Sequence, residues 1–198
     1  MFIRSERLFL RPGWPEDWEE LLHRIADQGI VHNLARAPWP YRAEHARDFA
    51  GRAQDKRFPH FLVTLPGATG PRLVGSCGMA PVDGSGGGDA ELGYWIGRDY
   101  WGQGFATEAA RALLRLAHTL GHRRIEAGHF VDNPASGKVL RKVGFRPTGD
   151  ITRRHSKGRG VAVDSVSYAI DLGETGNCDG DSPAPCRRDA PLPAMRAA

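Results

Sequence analysis

Gly102 and Gly104 lie in the run Tyr100-Trp-Gly-Gln-Gly-Phe-Ala-Thr-Glu-Ala109, between a strand-like segment and the strongest helical pattern in the chain. Glycine has no Cβ, so backbone N–H groups there can come close to a ligand. The first N–H groups of a helix lack intrahelical partners and carry the positive end of the helix dipole. A glycine-rich turn opening onto a helix is therefore an anion site suited to a pyrophosphate. A plain tight turn is the competing reading, and for a lone Gly-x-Gly the two stand level. Other phosphate motifs fit poorly. A Walker loop needs Gly-Lys-Ser/Thr, which is absent. A dinucleotide fingerprint needs a third glycine, glycines directly after the strand and an acidic residue closing the next strand. Here Thr107 takes the third place, residues 98–101 intervene, and Glu126 opens the next strand.

These residues need elements to position them. Residues 7–11 alternate and read as a strand. Residues 15–26 read as a helix, with Pro15 at a first helical position and Trp18, Leu21, Leu22 and Ile25 as its apolar stripe. A second helix fits 43–53, with Ala46, Phe49, Ala50 and Ala53 inward. Residues 61–65 and 73–79 form a strand pair around the turn chemistry of 66–71. Residues 83–89 read as a flexible glycine loop and 90–96 as a strand. The helix over 105–120 buries Ala106, Ala109, Ala110, Leu113, Leu116, Ala117 and Leu120, and Gly121 stops it. A strand at 125–131 precedes a helix over 133–143, with Asn133 as N-cap, Pro134 at N1 and Gly144 at C′. Strands at 149–154 and 165–172 complete the domain. This order gives a mixed α/β (α+β) domain, not a regular βαβ series. From Gly173 the composition turns to Gly, Pro, Ala and Asp without periodicity. One domain over 1–172 and a disordered tail over 173–198 are expected.

Two segments at this separation carry a family resemblance. Gly93-Tyr-Trp-Ile96 and Tyr100-Trp-Gly-Gln-Gly-Phe-Ala-Thr-Glu-Ala109 resemble motif A of the GNAT superfamily, in particular its RimJ/RimL-like branch. Asp132-Asn-Pro-Ala-Ser136, followed by Val139-Leu140, Lys142 and Gly144-Phe145, resembles the family's Asn-x-x-Ser…Lys-x-Gly-Phe block. The opening Ser5-Glu-Arg-Leu-Phe-Leu-Arg-Pro12 and the Pro-Trp-Pro-Tyr loop also fit, so the likeness covers residues 4–172. Arg141 departs from it where many relatives carry an acidic residue. The resemblance implies a twisted mixed sheet of about seven strands flanked by about four helices. It implies an acyltransferase that moves an acetyl group from acetyl-CoA to a primary amine, on a protein N-terminus or a small molecule. Attack would be direct, in a ternary complex.

By the same resemblance, the CoA pyrophosphate rests on the amides of Trp101, Gly102, Gln103, Gly104, Phe105 and Ala106, with a side-chain contact from Gln103. Strands 91–96 and 125–131 splay to admit the pantetheine arm, which Asn133 contacts besides capping its helix. The acceptor must lose a proton before it attacks, since an unperturbed Lys amine has a pKa of about 10.4 and an α-amine about 8. The departing thiolate wants a proton or a hydrogen bond. Glu91 is the candidate base, acting through water; the plain alternative is a strand-edge or structural carboxylate. Ser136 is the candidate donor to the thiolate; its alternative is a helix N3 residue bonding the cap. Many relatives use a Tyr as this donor, and the helix after Asn133 holds none. His129 is a weaker catalytic candidate, since a single His there is more often structural. Trp39, Tyr41 and Phe58 form either an acceptor wall or core.

Composition bounds the remaining classes. The chain has 198 residues, a formal net charge of +4 and 27 basic residues. The basic residues are mostly Arg, scattered, with no run of five, which disfavours nucleic acid. No apolar run approaches the ~18 residues of a membrane span. The start lacks a signal-peptide pattern, so a cytoplasmic protein is expected. Cys77 reads as a small buried hydrophobe, and Cys178 and Cys186 fall in the tail. No spacing suggests a metal. A non-catalytic acyl-CoA sensor on the same fold is the alternative of another class, and a homodimer stands as an option beside a monomer.

Overall fold

The computed structural model describes residues 1–68, 70–82 and 89–173. Its frame is an eight-stranded mixed sheet in the order β1-β2-β3-β4-β5-β6-β8-β7. The strands are β1 (Ile3–Arg4), β2 (Phe9–Arg11), β3 (His60–Leu65), β4 (Arg72–Ala80), β5 (Ala90–Ile96), β6 (Arg124–Phe130), β7 (Arg146–Ser156) and β8 (Val161–Asp171). β5 and β6 pair in parallel, and the other neighbours are antiparallel. The helices are α1 (Trp18–Ile25), entered through a 3-10 turn at Pro15–Asp17, α2 (Gln28–Val31), α3 (Ala43–Ala50), α4 (Phe105–Thr119) and α5 (Pro134–Lys142).

Period-two alternation divides the core between the two faces of the sheet. Leu8, Leu10, Phe61, Val63, Val74, Ala90, Leu92 and Ile96 bury with Ala109, Ala110 and Leu113 of α4. Leu62, Leu73 and Trp95 bury on the other face with Leu21 and Ile25 of α1, Ile30 and Val31 of α2, and Ala46 and Ala50 of α3. Consecutive residues of β5 thus serve opposite layers, and Glu91 and Gly93 share the parity of Trp95. Cys77 is fully buried, and burial pushes its thiol up to about 12.

The mixed α/β reading and most elements match the sequence expectation. α4 starts at Phe105 as expected, and Gly121 and Gly144 follow the ends of α4 and α5 at φ 83° and 107°, where an L side chain is strained. Four differences have physical reasons. Two-residue β1 is too short for a periodic signal, so the sheet has eight strands and not about seven. Four-residue α2 is held by an Asp27 cap on the Ile30 N–H, which brings the α-helices to five. α3 stops at Ala50 with Gly51 following, and Ala53 is exposed. β7 and β8 are longer than expected because β7 is an almost wholly exposed edge strand, so no apolar alternation marks its bounds. The glycine loop at 83–88 and the tail from 174 lie outside the described residues.

Candidate active site

The cleft arises where two strands part. β5 and β6 pair only at Ala90↔Ile125 and Glu91↔Glu126. Beyond that point β5 stays with β4 as far as Ile96, and β6 stays with β8 as far as Phe130. The facing edges of 92–96 and 127–130 therefore share no ladder, and each offers backbone N–H and C=O groups to whatever enters. Gly93 borders this gap, where an added Cβ would meet nothing within 4 Å.

The loop leading to α4 is tightly braced. After β5 comes a 3-10 turn at Arg98–Tyr100. The Trp101 indole donates to the Ile96 carbonyl at 2.6 Å and the Gln103 amide to the Asp99 carbonyl at 3.0 Å. Gly102 and Gly104 have φ of 74° and 83°, so the turn needs both glycines whatever it binds. Gly104 is the N-cap of α4 and supplies no side-chain cap. The first helical hydrogen bond runs from the Glu108 N–H to the Gly104 carbonyl at 3.1 Å. Amides at the head of a fifteen-residue helix are thus left for another acceptor.

Glu108, inside the same sequence run, anchors this loop to the first hairpin. Its carboxylate accepts from the Ser5 hydroxyl at 2.7 Å, the Arg7 N–H at 2.6 Å and the Leu8 N–H at 3.2 Å, and pairs with the Arg7 guanidinium at 2.8 Å. Burial opposes its charge, but the hydrogen bonds from Arg7 and Ser5 outweigh it and hold the carboxyl below its usual pKa. Arg7 also donates to the Gln103 carbonyl at 3.1 Å and lies 4.5 Å over the Phe105 ring. Sequence reasoning gave Arg7 and Glu108 no role; their partners lie a hundred residues apart, beyond any local pattern.

α5 brings its first turn to the cleft. The Asn133 side chain caps the Ser136 N–H at 3.3 Å. The Ser136 hydroxyl lies 2.8 Å from the Tyr94 hydroxyl of β5. Burial pushes the Tyr94 phenol up to about 12 despite its bond to Ser136. His129 has structural partners: Nδ1 lies 2.8 Å from the Phe130 carbonyl and the ring packs on Tyr168. Its Nε2 fills the place of a Gly137 side chain, 2.5 Å from where a Cβ would sit. Arg141, exposed as expected, donates to the Tyr168 hydroxyl at 2.8 Å.

Glu91 is not a lone carboxylate. Arg154 of β7 reaches over Gly128 of β6 and grips it with two hydrogen bonds, the longer at 2.7 Å, while Arg36 approaches to 3.6 Å. The β7–β8 tip docks on the loop after α2. The Lys157 N–H donates to Ala35 at 2.9 Å and Arg159 to His32 at 2.8 Å, while Arg159 also pairs with Asp132 at 2.6 Å. Trp39 is partly exposed beside this loop, its ring edge-on to His32. Tyr41 is buried in the α1–α3 core with its hydroxyl on the His45 carbonyl, and Phe58 packs on the α4 core near His122. Among the described residues no group of three or more His, Cys, Asp or Glu could hold a metal.

A splayed parallel pair leading through a glycine turn to an uncapped helix matches a known family, whose acetyltransferase (GNAT) domain model covers residues 7–146. The chain belongs to the GNAT acetyltransferase family. It is 35% identical over 173 residues to the N-acetyltransferase p20 of Bacillus licheniformis, covering 85% of this chain and 94% of that one. A GNAT-family acetyltransferase structure from Bacillus anthracis superposes with a TM-score of 0.72 at 27% identity, covering 86% of this chain and 98% of that one. RimL, a ribosomal L7/L12 α-N-protein acetyltransferase solved with coenzyme A, shares the fold at TM-score 0.69 and 20% identity, over 87% and 98% of the two chains. The protein is thus an acetyl-CoA-dependent N-acetyltransferase, and no helix among its described residues is long and apolar enough to cross a membrane.

Proposed function

We propose that this acetyltransferase carries acetyl-CoA in the β5–β6 gap and delivers the acetyl group directly to a primary amine entering from the Glu91 side, at a protein N-terminus or on a small molecule, in the cytoplasm. The observation that carries the proposal is the parting of β5 and β6 after Glu91↔Glu126, with α4 uncapped at the end of β5. The pyrophosphate falls on the amides of residues 101–106, where helix-terminal N–H groups suit an anion. The pantetheine amides find unpaired backbone along the gap, beside Asn133. The small residues Gly93 and Gly128 flank the gap on the face of Glu91, leaving the amine a path to the thioester carbon.

The chemistry then needs little. The ammonium loses its proton to water held by Glu91, which Arg154 and Arg36 keep fixed as an acceptor. The amine nitrogen attacks the thioester carbon, the oxyanion is met by a backbone N–H of the gap, and as the C–S bond breaks the Ser136 hydroxyl hydrogen-bonds the leaving sulfur, which takes up the proton that the nitrogen sheds on becoming an amide. Trp39 and the docked β7–β8 tip form the acceptor wall, while Tyr41 belongs to the core beneath α1 and α3. The test is thiol release from acetyl-CoA against panels of peptide N-termini and small amines. Acceptor-dependent turnover with one class identifies the acceptor; acetyl-CoA binding without turnover across both panels would overturn the proposal in favour of a sensor.

A further inference from the structure

The Tyr94–Ser136 pair joins the two walls of the cleft. Tyr94 stands on β5 at the level where β6 has departed. Its hydroxyl crosses to the first turn of α5 and lies 2.8 Å from the Ser136 hydroxyl and 3.3 Å from the Ser136 carbonyl. No backbone ladder ties β5 to β6 at this level, so this contact links the strand to the helix where the strands do not. The Ser136 N–H is already committed to the Asn133 cap, which fixes the serine backbone and leaves the direction of its O–H to whatever bonds the oxygen.

A serine hydroxyl rotates freely and both donates and accepts. It can offer its hydrogen to a sulfur consistently only if another group holds the oxygen lone pairs. We propose that Tyr94 is a positioning residue: its O–H donates to Ser136 Oγ and so turns the Ser136 O–H toward the sulfur of CoA. The inference rests on the Ser136 role in the proposed function. A phenol that stays protonated throughout the working pH range suits this role, because it keeps the hydrogen that the bond to Ser136 Oγ needs. The other polar groups near the pair are engaged elsewhere. Arg141 bonds the Tyr168 hydroxyl, and His129 bonds the Phe130 carbonyl with its remaining nitrogen against Gly137. Among the described residues no carboxylate is bonded to either hydroxyl.

The sulfur itself reports the arrangement without an acceptor. A hydroxyl donor stabilises a thiolate over a thiol, so the thiol of bound CoA should titrate below that of free CoA measured alongside, by roughly one unit for a hydrogen bond to a charged partner. The probe is CoA bound to wild-type protein, with thiolate absorbance followed against pH. Ser136→Ala should return the titration to the free value. Tyr94→Phe, which keeps the ring that fills the site, should recover about half of that shift or more with CoA affinity near wild type. In the Ser136→Ala background Tyr94→Phe should add nothing, and Ser136→Thr, which retains a hydroxyl, should restore a lowered titration. A Tyr94→Phe titration at the wild-type value, with Ser136→Ala shifted, would overturn the positioning role and leave the Ser136 role standing. An unshifted Ser136→Ala would overturn both. An equal Tyr94→Phe effect with and without Ser136 would show that Tyr94 meets the sulfur directly, overturning positioning through the serine.

Discussion

Gly137→Ala is a substitution where two ordinary effects oppose each other and the structure decides the sign. Gly137 is a buried interior residue of α5. Helix propensity alone favours alanine there by about 1 kcal/mol. The new Cβ, however, would sit 2.5 Å from His129 Nε2 and 3.2 Å from both His129 Cδ2 and the Tyr168 hydroxyl. His129 cannot swing aside cheaply, because Nδ1 bonds the Phe130 carbonyl and the ring packs on Tyr168, itself bonded by Arg141. Overpacking of this kind costs about 1–3 kcal/mol. At an approach of 2.5 Å the cost falls in the upper half of that range, about 2–3 kcal/mol, so after the gain in propensity the net expectation is a loss of roughly 1–2 kcal/mol, or about 2–8 °C in Tm for a chain of this size. Thermal unfolding followed by circular dichroism measures it. Acetyl-CoA affinity should also fall several-fold, because the relief available is a shift of α5, which carries Asn133 and Ser136. A variant as stable as the parent or more so, with unchanged acetyl-CoA affinity, would refute the claim that His129 fixes the seat of α5.

Acetyl-CoA at ~100 times Kd should stabilise the protein by roughly 2.7 kcal/mol, with smaller shifts from NAD and ATP in the same thermal assay; a larger shift from NAD would contradict the anion-loop assignment. Gly104→Val should cost about 1–2 kcal/mol of stability from the left-handed backbone alone and should weaken acetyl-CoA binding by more than that; equal affinity in the folded variant would place the pyrophosphate elsewhere. Glu108→Gln should flatten the acid limb of the stability curve. The Glu108 pKa is lowered in the folded state from a usual 4.5, so its contribution is complete above that value and is lost as pH falls through the lower folded one; an unchanged acid limb in urea titrations at pH 3 to 6 would refute the anchor. Once an acceptor is known, Glu91→Gln should slow turnover by about 10²-fold or more, most at low pH where the amine is protonated, while Arg154→Gln should cost less; equal losses across pH 6 to 9 would return Glu91 to a purely structural ion pair.

The parts of this protein that follow local periodicity could be read in advance. α4 shows a regular apolar face and a stop at Gly121, and α5 has Asn133, Pro134 and Gly144 at the places where a cap, a first turn and a left-handed exit need them. What stayed illegible depends on contacts distant in sequence. Tyr94 looked like one aromatic of a buried strand until α5 placed Ser136 beside it. Glu91 looked like an isolated carboxylate because Arg154 lies 63 residues later, on a strand whose exposed edge leaves no apolar trace. Glu108 sat inside a recognised run without a role of its own, because the N–H groups it collects belong to a turn near residues 5–8. Tyr41 and Trp39, two residues apart in one stiff loop, went to different environments, and composition has no means of separating them.

The threading of β8 between β6 and β7 imposes an order on synthesis. β7 pairs with β8 and not with β6, so residues 146–156 have no place in the sheet until residues 161–171 have been made. Arg154 therefore has its place beside Glu91 only once β8 has been made, whereas the sheet partners of β5, β4 and β6, precede β7 in the chain. A domain generally folds as a unit, so the phosphate cradle and the wall that receives the amine are completed together once β8 has emerged. The β7–β8 hairpin is the last part of the acceptor wall to be made, so competence for transfer waits on it.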